Sequence, residues 1–120
     1  MAGTIVADDI QHSTAGSVGT EYVVEGTAKV WTVIKQTGTQ EIKDSFGQSS
    51  LTDTGTGISR INFSNSFATQ DGKSVTSFNS YEVKGGWYNI GTTSYTDIVQ
   101  YDTEYRDVDS ISVHIFGDLA

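Results

Sequence analysis

The chain has 120 residues, 7 basic against 15 acidic side chains for a formal net charge of -8, 36% hydrophobic residues, and neither cysteine nor proline. That is one domain's length, and the lack of cysteine excludes a disulfide scaffold, thiolate-held zinc or iron–sulfur centres and a cysteine nucleophile. The acidic balance argues against capture of DNA, RNA or an anionic membrane; no apolar run nears the roughly 20 residues that insert across a bilayer; and the first residues lack the basic and apolar regions of a secretory signal, so synthesis in a cytosol is expected.

The first 27 residues read as an extended arm. Thr4–Ile10 has strand character, but His12–Thr20 carries almost nothing to bury. An arm of this kind needs a partner surface to become ordered. Its apolar groups, Ile5, Val6, Ile10, Tyr22 and Val23, are the candidate attachment residues. Residues 28–120 read as the domain proper.

From Ala28 onward the dominant period is two, the spacing of a strand whose side chains alternate between faces. Residues 28–35 place Ala28, Val30, Thr32 and Ile34 on one face and Lys29, Trp31, Val33 and Lys35 on the other, so this strand is expected to be covered on both sides. A Gly-containing turn follows at 36–39, and another at 53–57. The next strand is expected at 58–63, with Ser59, Ile61 and Phe63 sharing a face. Residues 64–69 could form one helical turn at most. Asp71-Gly72 is the strongest hairpin pair, leading to a strand over 75–83. Lys84-Gly85-Gly86 reads as a further turn, and 111–115 is the cleanest alternation, with Ser112 and His114 on its polar face. Short strands separated by such turns give an all-β fold, a single antiparallel β-sandwich or jelly-roll-like domain.

Chemistry is sparse in this pattern. His114 and Ser112, two apart on one strand face, hold their Cβ atoms about 7 Å apart, which suits a structural or interface histidine better than proton transfer; His12 lies in the polar arm. The acidic run from Asp102 to Asp109 holds carboxylate pairs that could flank a sugar bond or bind calcium, but it reads as a solvated loop with an ion pair from Arg106 to Glu104 or Asp107. Gly55-Thr56-Gly57 has no helix after it, so it is a turn and no phosphate cradle. No catalytic residue, metal ligand or cofactor is assigned. The aromatics Trp87, Tyr88, Tyr95, Tyr101 and Tyr105, interleaved with Gly, Thr and Asn, are either packing groups or a candidate contact surface toward solvent.

Three stretches carry a resemblance. Ala28-Lys29-Val30-Trp31, the turn at Thr37-Gly38-Thr39, Ile42-Lys43-Asp44-Ser45-Phe46, and then Ser49-Ser50-Leu51-Thr52-Asp53-Thr54-Gly55-Thr56-Gly57 with the apolar strand Ile58–Phe63 keep their spacing. This pattern resembles a domain of bacteriophage tail-fibre and minor virion proteins. The opening Gly3–Gln11 and the ending Val113–Gly117 are similar to that family's leader and final strand. The resemblance covers most of residues 3–67 and the last ten or so; 70–105 has no counterpart. Thr32-Val33-Ile34-Lys35 stands where the family has aromatic and Asn residues, Gly47 where Asn is commoner, and Ala68–Gly72 where a Pro-containing turn is usual. The resemblance implies a non-enzymatic virion protein: a fibre, knob or appendage subunit, assembled as a homotrimer, bound to other virion proteins and facing a host-surface glycan or protein. A capsid decoration protein and a monomeric carbohydrate-binding module are the alternatives, and a polysaccharide depolymerase comes last.

Overall fold

The computed structural model describes residues 2–79, 85–89 and 91–120; of Gly85, Gly86, Trp87 and Asn89 only the backbone is described. Residues 80–83 of the strand expected over 75–83 therefore lie outside the described residues, as does the side chain of Trp87. The described residues form eleven strands and one short helix: β1 (Asp9–His12), β2 (Gly16–Gly19), α1 (Thr20–Gly26), β3 (Val30–Lys35), β4 (Glu41–Phe46), β5 (Gln48–Gly55), β6 (Ile58–Phe63), β7 (Ser74–Asn79), β8 (Gly85–Asn89), β9 (Tyr95–Asp102), β10 (Glu104–Tyr105) and β11 (Ile111–Phe116).

All pairings are antiparallel. Strands β4-β3-β11-β7 make a four-stranded sheet, and β10, β9, β6 and β5, with β8 added on β9, make a five-stranded one. The two sheets enclose a single core. Val30 and Ile34 of β3 and Ile111, Val113 and Ile115 of β11 come from the first sheet. Ile61 and Phe63 of β6 and Ile98 of β9 come from the second, with Phe67 and Val108 from the connections. Phe63 and Phe67 meet edge to face, centroids 5.1 Å apart, an arrangement that favours aromatic pairs beyond their buried area.

Strand periodicity explains why these residues meet. In β6, Ser59, Ile61 and Phe63 are buried while Ile58, Arg60 and Asn62 are half-buried, the division expected from the sequence. β11 buries Ile111, Val113 and Ile115 and leaves His114 exposed. β3 buries Val30, Thr32 and Ile34, with Trp31, Val33 and Lys35 half-buried on the reverse.

Three connections differ from expectation. Asp71-Gly72 is not a hairpin: β6 and β7 belong to different sheets, so the turn carries the chain across the core. Residues 64–69 form no helix, because their backbone bonds elsewhere. Phe67 N–H reaches the Thr93 carbonyl at 2.9 Å, and Ala68 N–H reaches the Asp118 carbonyl at 2.8 Å. Gly85-Gly86 opens β8 rather than forming a turn.

Gly47 switches the chain from the first sheet to the second. Its φ is +76°, and a Cβ there would lie 2.3 Å from the Lys29 carbonyl oxygen. Asn tolerates that φ but not that approach, so Gly is required here for a steric reason.

The interior is unusually polar. Gln36 is fully buried. Its Nε2 donates to Ser59 Oγ at 2.9 Å, and its Oε1 accepts from Val108 N–H at 3.3 Å. Gln36 N–H in turn reaches the Val108 carbonyl at 2.9 Å. Ser59 Oγ donates onward to Gln40 Oε1 at 2.6 Å, while buried Gln100 accepts from Asn79 Nδ2. Buried polar groups are tolerated when paired in this way, and here they connect the 36–40 turn with β6 and the 106–110 loop, and β7 with β9.

The same end of the molecule depends on Gly57, whose φ is +71° and whose Cβ would fall 2.6 Å from the Gln100 carbonyl and 2.7 Å from Arg106 N, both backbone atoms. Gly57→Ala should therefore cost at least about 2 kcal/mol, from left-handed strain plus a collision that side-chain motion cannot relieve. Gly26→Ala, in open space at the end of α1, should leave stability unchanged or slightly higher. Urea midpoints of the two variants check this; equal midpoints would contradict it.

Candidate functional site

Two regions were singled out by the sequence, the N-terminal segment and the aromatic run from Trp87 to Tyr105. The N-terminal segment is not extended throughout. The strand expected over Thr4–Ile10 is confined to β1, which pairs with β2 in the register Asp9↔Gly19 to His12↔Gly16, and α1 follows directly. His12 closes the hairpin: its Nδ1 accepts the Thr14 and Ala15 backbone N–H groups at 3.2 and 3.1 Å. Thr20 ties the base of the hairpin through its N–H to the Asp8 carbonyl at 2.8 Å. No residue from 2 to 27 is buried. Ile5 is 94% exposed and Tyr22 70%, with Val6, Ile10 and Val23 exposed as well. The main contacts of β2 are with β1 and α1. The radius of gyration, 16.6 Å, exceeds the about 14 Å expected of a compact chain this long.

The aromatic run divides in two along β9. Tyr95 and Tyr101 are six residues apart, about 20 Å on a strand. Tyr95 lies half-buried at one end, where the Arg60 guanidinium stacks 3.8 Å from its ring centroid. Arg60 also grips Asp97 with two bonds, Nε to Oδ1 at 2.8 Å and the second nitrogen to Oδ2 at 3.1 Å. Arg60 and Asp97 face each other in the β6–β9 register, and the Asp97 bond raises the arginine's pKa. Tyr101 and Tyr105 lie at the other end, paired across β9 and β10, rings edge to face at 5.3 Å. Both are exposed, as is Tyr88, whose backbone stands opposite Ile98. The backbone of Trp87 stands opposite Val99.

The acidic run holds loops together. Asp107 Oδ1 accepts from Gly57 N–H at 2.6 Å, Asp109 Oδ1 accepts from the Thr37 hydroxyl, and the Asp109 carbonyl accepts from Lys43 Nζ at 2.8 Å. The ion pair expected from Arg106 to Glu104 or Asp107 does not form; Arg106 instead donates its backbone N–H to the Gln100 carbonyl at 3.2 Å. Among the described residues, the ion pairs are Arg60–Asp97 and Lys35–Glu41, and no group of three His, Asp or Glu side chains is placed to hold a metal ion. No described helix is long and apolar enough to cross a membrane.

Two features escaped the sequence reading. One is the Tyr95–Arg60–Asp97 cluster, in which Arg60 is distant in sequence from the two β9 residues and meets them only through the β6–β9 register. The other is Lys73, only 8% exposed. Its Nζ donates to the Thr92 carbonyl, to the Tyr95 carbonyl at 3.1 Å and to Thr96 Oγ1 at 3.4 Å, and it sits 5.3 Å from the Phe63 ring centroid. It thus anchors the 92–96 segment from which Tyr95 projects.

No family model matches the chain, and no curated protein or solved structure is significantly similar to it.

Burial lowers the pKa of Lys73 below its ordinary 10.5, with Asp71 opposing the shift. A lowered folded-state pKa means that the unfolded chain binds the extra proton, so this group's contribution makes stability rise as pH climbs toward 10.5. Lys73→Met should remove that contribution. The difference in urea midpoint between wild type and variant, followed from pH 7 to 10, should therefore shift in favour of wild type as pH rises; a constant difference would contradict it.

Proposed function

We propose that this chain is a non-enzymatic bacteriophage virion protein, a fibre, knob or appendage subunit that attaches through residues 1–27 and presents the Trp87–Tyr105 aromatics to a host-surface glycan or protein. The sequence pattern over residues 28–63 supports the family reading. The observation that carries the attachment role is the N-terminal segment: Ile5, Val6, Ile10 and Tyr22 are exposed on a segment none of whose described residues is buried. Ordering that much chain costs conformational entropy that its own contacts scarcely offset, so a covering partner gives it a purpose. The thin, polar core supports assembly as a homotrimer, in which neighbours shield strand edges.

Two alternatives remain in view. A capsid decoration protein uses the same segment along a shell. A monomeric carbohydrate-binding module is favoured by Tyr95, Arg60 and Asp97, an aromatic beside paired polar groups on the outer face of the five-stranded sheet.

Deleting residues 2–16 should leave the circular dichroism spectrum of the sheets intact and abolish incorporation into particles. If the truncated chain unfolds, the segment belongs to the core and the attachment reading is wrong. Replacing Trp87 and Tyr88 by Ala should weaken host-surface binding about ten- to hundredfold without changing oligomeric state. A double variant that fails to assemble would assign these rings to subunit packing.

A further inference from the structure

The turn of the N-terminal hairpin is closed by an acceptor that acid removes. His12 Nδ1 accepts the backbone N–H groups of Thr14 at 3.2 Å and Ala15 at 3.1 Å, and the Thr14 hydroxyl stands 3.4 Å away. Accepting the N–H two residues on is what Asp and Asn side chains do at turns, and Nδ1 occupies the place of their Oδ1, one bond beyond Cγ. Both amides share the single lone pair of Nδ1, so the neutral ring carries its proton on Nε2. An imidazolium donates from both nitrogens and accepts at neither. A protonated ring therefore turns a proton toward two N–H groups, and both lose their partner. The Thr14 hydroxyl can accept from Nδ1–H, but it does not replace the acceptor that the amides lose.

Few other contacts hold the hairpin shut. β1 and β2 pair over four positions, Asp9↔Gly19 to His12↔Gly16, and neither strand has a buried residue. Ile10 and Val18, opposite each other, are both exposed. Thr20 fastens the open end, its N–H on the Asp8 carbonyl at 2.8 Å and its hydroxyl on the Ala7 carbonyl at 2.6 Å. His12 fastens the other. A two-stranded hairpin is marginal in water, so two bonds at its turn weigh heavily.

The charged groups nearby do not compensate a charged ring. Alternation places Asp9 on the opposite face of β1 from His12, and Asp8 precedes the strand. β2 carries no ionisable side chain. α1, which contacts β2, brings Glu21, Tyr22 and Glu25. Among the described residues, the ion pairs lie elsewhere, and no carboxylate is within 4.0 Å of a His12 ring nitrogen.

We propose that His12 is a pH-sensitive latch: the neutral ring closes the β1–β2 hairpin, and the protonated ring releases residues 9–19 as open chain. The closed turn needs the ring neutral, so acidification favours the open form. Histidine is the side chain whose charge ordinarily changes between pH 5 and 8; Asn in its place would close the turn throughout that range. The inference stands on the geometry of the turn and goes beyond the attachment reading, on which it does not depend.

The test is nuclear magnetic resonance of the full, isotope-labelled chain in dilute solution. At pH 7.5 the His12 ring should carry its proton on Nε2, and cross-strand contacts should join Ile10 to Val18. At pH 5 the ratio of closed to open hairpin, read from the carbon shifts of residues 9–19, should fall about tenfold, as loss of two hydrogen bonds implies. The shifts of β3, β6 and β9 should not follow. His12→Asn restores an acceptor at the same place, does not titrate, and keeps Asp8, Asp9, Glu21 and Glu25. Its hairpin population should be equal at the two pH values and above that of His12→Ala. A ring proton on Nδ1 at pH 7.5, or a wild-type hairpin population unchanged at pH 5, would overturn the proposal. So would a His12→Asn chain that opens on acidification as the wild type does, which would assign the response to the carboxylates.

Discussion

The constraint on which this structure depends is a short supply of apolar side chains. The interior holds a handful of aliphatic residues and two phenylalanines, drawn from facing strands of two sheets. At one end the space between the sheets is closed by side-chain amides and a hydroxyl. Gln36, Ser59, Gln40, Gln100 and Asn79 form hydrogen bonds there instead of being replaced by Leu or Ile. Each such bond is worth only about 1 kcal/mol net, but leaving one partner buried and unmade costs more. The network therefore specifies how the sheets are placed more than it adds margin. Gly57 and Asp107 belong to this arrangement: the glycine lets the β5–β6 turn approach β9 and the 106–107 backbone, and the carboxylate fastens the turn there.

Residues 2–27 take no part in this core: none of them is buried. The sheets bury apolar groups against each other and leave residues 2–27 uncovered. Ile5, Val6 and Tyr22 are consequently left in water, as are Phe46 and Phe78 on the far side of the first sheet. A hairpin closed by His12 and a seven-residue helix are marginal elements without tertiary support. A covering partner, as in the attachment proposal, would supply that support.

The parts of the fold legible in the sequence were those where one face of a strand is apolar and the other is not. Ser59, Ile61 and Phe63 in β6, and Ile111, Val113 and Ile115 in β11, announce both strand and face. β9 was hidden because its core face is Thr96, Ile98 and Gln100, which by residue type looks half solvated; its burial follows from a central position between β6 and β8. β4 was hidden because the register slips between Val33 and Ile34, opposite Lys43, and breaks the alternation. Asp71-Gly72 has the local chemistry of a hairpin, but the flanking strands are claimed by β9 and β11 in separate sheets. The Tyr95–Arg60–Asp97 cluster was half legible: Tyr95 and Asp97 share a face of β9 two residues apart, but Arg60 joins them only through the β6–β9 pairing. The exposure of Ile5, Val6 and Tyr22, by contrast, could be read from the lack of apolar residues around them.

The central claim is that residues 2–27 belong to an assembly and not to the core of their own chain. Amide hydrogen exchange, followed residue by residue in dilute purified protein and again in the assembled particle, tests it most directly. Amides of β1, β2 and α1 should exchange nearly as fast as unfolded chain when dilute and become protected on assembly, while those of β3, β6, β9 and β11 remain protected throughout. Protection of the N-terminal amides in the dilute monomer, at the level of the central strands, would contradict the account.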